Sequence, residues 1–183
     1  ALVGALACAC SGTKTNTAQE LGIDPALTEA EKAAGVLTPE VLWKMGRIGS
    51  AVLSPDGQNV VYTVTWYKLA ESRSTTSLYT IPSGGGEPKR LTDFTGSDNT
   101  PQWSRDGATI YFLSSRNEGS QLWAMNADGT NMRQLSHVDG GLDGYGIAPT
   151  GDRIWYVQSG IQVGKTTKDS YPDLPKTSAM IYD

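Results

Sequence analysis

The feature that most constrains this chain is the tetrapeptide Ser54-Pro55-Asp56-Gly57, because degenerate copies of it return twice. Ser104-Arg105-Asp106-Gly107 follows after 50 residues, and Ala148-Pro149-Thr150-Gly151 after a further 44. Each copy leads into an apolar, β-branched and aromatic run: Val60-Val61-Tyr62-Thr63-Val64, Ile110-Tyr111-Phe112-Leu113 and Ile154-Trp155-Tyr156-Val157. Asp-Gly between such runs supplies the positive-φ turn that a tight antiparallel connection needs. Pro55 and Pro149 sit at the edge of their turns, where the missing amide hydrogen breaks no central ladder bond.

The first two copies also agree downstream. Leu78-Tyr79-Thr80-Ile81 runs into Ser83-Gly84-Gly85-Gly86 and then Arg90-Leu91-Thr92; Leu122-Trp123-Ala124-Met125 runs into Ala127-Asp128-Gly129 and then Gln134-Leu135-Ser136. The pattern predicts four strands per unit, near 50–54, 59–65, 77–82 and 89–92, then 101–104, 109–114, 121–126 and 132–136. A period of about 40–50 residues built from short strands and a glycine turn is the sequence sign of a propeller blade. The second strands are nearly unbroken apolar runs, as expected where both faces of a blade meet neighbours. The expected fold is all-β: an incomplete β-propeller with complete four-stranded blades at about 48–92 and 98–136 and a partial third at 143–183. Pro55, Asp56, Gly57, Trp103, Asp106, Gly107, Pro149 and Gly151 are its structural repeat positions, with Trp103 placed in an inner strand. Closing a ring takes about 4–8 blades, which points to a piece of a longer propeller.

With 38% hydrophobic and 19% charged residues and a formal charge of −4, the 183-residue chain can bury a core and offers no basic footprint for nucleic acid. Residues 1–10, Ala-Leu-Val-Gly-Ala-Leu-Ala-Cys-Ala-Cys, are too short to span a bilayer and look like an export segment. Small residues before Cys8 and Cys10, and the polar Ser11-Gly12 after them, resemble a bacterial lipoprotein signal. Both cysteines are therefore candidate lipidation sites, with a cleaved signal peptide and a buried apolar segment as the alternatives. Two cysteines alone make an inadequate metal site.

Residues 11–47 read as a tether. Thr28-Glu29-Ala30-Glu31 is a capping-box pattern opening a short helix that Gly35 ends. Thr38-Pro39-Glu40 caps a second helix, whose Leu42, Trp43 and Met45 are expected to cover an apolar patch on the first blade. Residues 66–76 read as a loop longer than its counterpart at 115–120, either facing a partner or substrate or simply covering an edge.

No catalytic group is assigned. His137 has no Gly-x-Ser-x-Gly elbow to serve, and Gly140-Gly141 makes the Asp139 and Asp143 region a turn. Gly164-Lys165-Thr166 lacks the earlier glycine of a phosphate loop, and Asn126-Ala127-Asp128-Gly129 lacks the closing Glu of a calcium loop. No cofactor is expected.

Thr38-Pro39-Glu40, Ser54-Pro55-Asp56-Gly57, Glu87-Pro88-Lys89-Arg90-Leu91-Thr92, Pro101-Gln102-Trp103-Ser104-Arg105-Asp106-Gly107, Gln121-Leu122-Trp123-Ala124-Met125 and the stretch from Tyr171 to Asp183 together resemble an exported bacterial serine peptidase. The family is the prolyl oligopeptidase superfamily, in its dipeptidyl-peptidase and acylaminoacyl-peptidase-like branch. The blade motifs are shared with TolB-like propellers. The peptidase resemblance implies an N-terminal seven- or eight-bladed propeller that gates short peptides to the protein's own C-terminal α/β-hydrolase domain. It also implies a location in the periplasm or cell envelope, with a lipid anchor to the membrane if a cysteine is lipidated. The TolB-like alternative implies a periplasmic protein-binding scaffold.

Overall fold

The computed structural model describes residues 26–68, 71–117 and 119–159. Cys8, Cys10, Gly164-Lys165-Thr166 and the stretch from Tyr171 to Asp183 lie outside them.

Two short helices lead in. In α1 (Glu29–Ala34) the Thr28 hydroxyl accepts from the Glu31 amide at 3.2 Å while Glu31 Oε2 accepts from the Thr28 amide at 2.7 Å. Gly35, at φ 61°, ends it in the left-handed conformation that favours glycine. In α2 (Pro39–Trp43) Thr38 caps the Val41 amide at 3.3 Å. A Lys44–Glu31 ion pair at 2.9 Å ties the two together. The apolar patch is covered differently from the expectation. Val41 is the buried residue of α2 and Trp43 meets Tyr67 edge-on at 5.6 Å, whereas Leu42 and Met45 are exposed. One turn and a half of helix can bring only one side onto the sheet, and that side carries Val41.

Three antiparallel sheets follow in chain order. The first is β1 (Arg47–Leu53), β2 (Asn59–Lys68), β3 (Arg73–Pro82) and β4 (Lys89–Arg90); the second is β5 (Asp98–Trp103), β6 (Thr109–Ser114), β7 (Gln121–Asn126) and β8 (Arg133–Gln134). The third is the hairpin of β9 (Gly144–Ile147) and β10 (Ile154–Val157). Within each sheet, strands neighbour one another in sequence order, as in successive propeller blades. The runs at 60–64, 110–113 and 154–157 all fall in second strands, and Trp103 closes the first strand of its blade.

The expected loop at 66–76 is mostly strand. Thr65 to Lys68 pair with Thr76 to Arg73, and the Thr65 and Thr76 hydroxyls meet at 2.9 Å across the ladder. β-Branched and aromatic residues on both arms continue the ladder past the point where polar composition suggests a loop.

The core lies between sheets. Val61 and Leu78 of the first meet Ile110, Phe112 and Met125 of the second, flanked by Val52, Leu91, Trp103, Trp123 and Met132. Leu113 and Leu122 then meet Leu142 and Tyr145, flanked by Tyr111, Val138, Ile147 and Ile154. Successive residues of β6 thus serve opposite interfaces, which is why its sequence is apolar without alternation. At the outer ends the same kind of surface is open: Ile48 is 71% exposed, Leu53 56% and Trp155 58%.

Candidate functional site

The two Ser-x-Asp-Gly turns are built alike. Ser54 and Ser104 hydroxyls donate to Oδ1 of Asp56 and Asp106 at 2.5 and 2.6 Å. The same oxygens accept the amides of Gln58 and Ala108 at 3.0 Å. Gly57 and Gly107 take φ of 73° and 71°, and Gly151 takes 78°. Serine hydroxyl donation, followed by these amides, holds both carboxyls below the usual carboxylate range. In the third copy Ala148 and Thr150 replace the serine and the aspartate, so that network is missing. The backbone still closes, with the Gly151 amide donating to the Ala148 carbonyl at 2.8 Å.

Successive turns face one another across the gaps between sheets. A Cβ on Gly107 would stand 3.6 Å from Pro55, and one on Gly151 would stand 3.6 Å from Arg105. In the first gap Trp103 lies in the interface and its indole N–H donates to the Val52 carbonyl at 3.0 Å. The second gap opens as a cleft of about 510 Å³ bounded by Ser104, Arg105, Asp106, Thr109, Tyr111, Ile147, Thr150 and Gly151. Sequence reasoning treated Asp106, Gly107 and Gly151 as turn residues and did not find this cleft. In the repeat register Ile147 occupies the place of Trp103 and Tyr111 that of Val61.

The opposite ends of the strands carry a buried ion pair. Arg116 Nη2 donates to Asp98 Oδ2 at 2.7 Å, and the Asp98 side chain has no exposure. The guanidinium lies 4.9 Å from the Phe94 ring and 5.5 Å from the Trp123 ring. Burial pushes the Asp98 carboxyl up, against the opposing pull of Ser114, Arg116 and Thr92. On the first sheet, Arg47 stacks 4.3 Å from Trp43 and 4.8 Å from Tyr67, which places Trp43 in packing rather than in an open pocket.

His137 is an exposed connector residue. Asp139 and Asp143 flank a turn in which the Gly141 amide donates to the Val138 carbonyl at 2.9 Å. Asp128 is engaged by the Thr130 hydroxyl and amide as a hairpin turn. Tyr145, whose phenol burial pushes up, donates to the Thr100 carbonyl at 2.7 Å and locks the third sheet to the second. Among the described residues, no three His, Cys, Asp or Glu side chains converge on a point where a metal could bind.

A family model described as the TolB beta propeller domain, PD40, matches residues 38–171. Among curated proteins, dipeptidyl-peptidase 5 of Porphyromonas endodontalis is 34% identical over 154 residues, covering 84% of this chain and 22% of that protein. Dipeptidyl-peptidase 5 of Porphyromonas gingivalis is 39% identical over 145 residues, covering 79% and 21%. The chain thus spans about a fifth of the length of these relatives. Among solved structures, a TolB-like protein from Agrobacterium tumefaciens matches with a TM-score of 0.50 at 26% identity, over 64% of this chain and 42% of that one. An acylaminoacyl peptidase from Pyrococcus horikoshii matches with a TM-score of 0.52 at 15% identity, over 63% and 17%, a likeness of fold alone.

Proposed function

Because this chain belongs to the TolB β-propeller family, we propose that it is a binding propeller, exported from the cytoplasm, that holds protein or peptide segments on its turns and loops. The observation that carries this reading is the family match across 38–171, which takes in the three stacked sheets from Arg47 to Val157. In its TolB-like form the propeller is a scaffold whose partner is another protein.

A second reading is favoured by a specific observation, the 34% and 39% identity to two dipeptidyl-peptidases. In that form the propeller gates access of short peptides to an α/β-hydrolase domain of the same polypeptide. Continuing the reading frame past Asp183 separates the two. A Gly-x-Ser-x-Gly elbow followed by Asp and His selects the gate, and a stop after the last blade selects the scaffold. Under either reading the purified chain releases no chromophore from dipeptidyl substrates and takes no fluorophosphonate label. Labelling of a unique serine in homogeneous chain would overturn both. Mass spectrometry of the native amino terminus tests the lipid anchor: a diacylated or triacylated Cys8 or Cys10 is the expected result, and an unmodified start beyond Cys10 excludes it.

A further inference from the structure

We propose that Asp139-Gly140, in the connector between the second and third sheets, is a site of spontaneous isoaspartate formation, a covalent modification from which the chain's other Asp-Gly steps are held back. The inference goes beyond the binding reading and does not depend on it. Five Asp-Gly steps occur, at Asp56, Asp106, Asp128, Asp139 and Asp143. Each sets a carboxyl beside a backbone amide whose glycine has no side chain to shield it, so by sequence alone the five are alike.

The reaction joins two atoms. The Gly140 amide nitrogen loses its proton and bonds to Asp139 Cγ, one carboxyl oxygen leaves as water, and a cyclic succinimide forms. Water then reopens the ring. Cleavage at Cγ restores aspartate, whereas cleavage at the former backbone carbonyl carbon routes the main chain through Cβ and Cγ. Mass is unchanged, and neither oxidant nor cofactor is consumed.

In three of the steps both reacting groups are engaged. The Gly57, Gly107 and Gly129 amides donate to the carbonyls of Ser54, Ser104 and Asn126 at 2.9, 3.0 and 2.9 Å. Each neighbouring carboxylate accepts a hydroxyl and an amide: Asp56 from Ser54 and Gln58, Asp106 from Ser104 and Ala108, Asp128 both from Thr130. In a fourth, Asp143 Oδ2 accepts the Ser159 hydroxyl at 2.6 Å, and Gly144 is fixed in β9 opposite Val157. Asp139 differs on both counts. Only its backbone carbonyl is held, by Gln158 Nε2 at 2.6 Å, and its carboxylate takes no hydrogen bond from a described residue. The turn there closes one residue later, with Gly141 rather than Gly140 donating to Val138 at 2.9 Å, which leaves the attacking nitrogen without an acceptor among the described residues. Both residues are exposed, and Gly140 has nothing within 4 Å of an added Cβ to hold it in place. Rearrangement would turn the Asp139 carbonyl into a pendant carboxylate and insert a methylene just before Leu142, whose amide anchors the connector on the Ser120 carbonyl at 2.6 Å.

The test ages the full chain for several weeks in mild acid, folded and in urea. Isoaspartate is read residue by residue by electron-transfer fragmentation and by labelling with protein L-isoaspartyl methyltransferase. In the folded chain Asp139 is expected to rearrange on the order of tenfold faster than Asp56, Asp106, Asp128 or Asp143, because each of those must first break its hydrogen bonds. In urea those bonds are gone, and the five rates should converge. Ser104→Ala, which removes the hydroxyl from Oδ1 of Asp106, should raise isoaspartate at Asp106 while Asp139 stays as before. The folded and urea arms use the unaltered chain, so they decide the matter should that variant fail to fold. Absence of isoaspartate at Asp139, equal rates at the five steps in the folded chain, a ranking that persists in urea, or no rise at Asp106 in a folded Ser104→Ala chain overturns the proposal.

Discussion

Replacing Arg116 by methionine should strand the most deeply buried charge among the described residues. The Asp98 carboxylate has no exposure and takes its ion pair from Arg116 at 2.7 Å, while the guanidinium itself is 15% exposed. Removing one partner of a buried pair costs about 3–5 kcal/mol, because the other charge stays desolvated without compensation. The partial exposure of Arg116 lets water approach the vacated place, which puts the expected loss near the lower limit, about 3 kcal/mol. At about 1.4 kcal/mol per tenfold, the population of the opened second sheet rises on the order of a hundredfold. Native-state hydrogen exchange of the β6 amides reads this directly. In Asp98→Asn/Arg116→Met the charge is gone from both sides, and most of the loss should be recovered.

The pH dependence supplies the sharper check. Burial raises the folded-state pKa of Asp98 above its ordinary value of 3.8. The folded chain therefore binds more protons than the unfolded chain between those two values. This contribution to stability is fully present below the ordinary value and is lost as pH rises through the raised one. Without Arg116 the carboxyl rises further, so the loss in Arg116→Met should be larger at neutral pH than at about pH 4.5. An equal loss at both values, or a double variant no better than the single one, would refute the reasoning.

The remaining predictions concern the turns and interfaces. Gly141→Ala should cost about 1–3 kcal/mol, since φ is 86° and the new Cβ would stand 2.5 Å from the Ser120 amide nitrogen; faster exchange of the Leu142 amide is the readout. Trp103→Phe should cost about 0.5–1.5 kcal/mol for the lost bond to Val52, and Trp103→Gly about 3 kcal/mol or more, both measured by exchange of the Val61 and Ile110 amides. Asp56, Asp106 and Asp128 have lowered pKa values, so their contribution is present above 3.8 and is lost as pH falls through the lowered values. Carboxyl-carbon NMR titration should place all three below that value. The chain should self-associate through its open apolar ends, and Ile48→Ser with Trp155→Ser should shift its sedimentation toward monomer.

Turn chemistry is what made the fold readable. An Asp-Gly turn with a serine two residues before the aspartate closes its own hydrogen bonds, so its meaning survives without knowledge of any distant residue. The strands between such turns then follow from apolar runs, and β6 and β7 fall where the pattern puts them. The hairpin at 66–76 did not, because its pairing partners compensate for polar residues that read locally as loop. Thr65 reaches Thr76 and Lys68 reaches Arg73 across the ladder, and that benefit is visible only once register is known.

The site features were hidden for a related reason. Asp98 and Arg116 stand on different elements, and neither carries a local pattern that announces a pair. The cleft is a property of a gap between repeats, so no single segment encodes it. A repeat protein fixes equivalent positions by stacking, while the side chains at those positions vary from gap to gap. Trp103 faces Val61 in the first gap and Ile147 faces Tyr111 in the second, so volume lost at one position is regained at the other. A single repeat position therefore does not report how full a gap is, and its facing position has to be read with it.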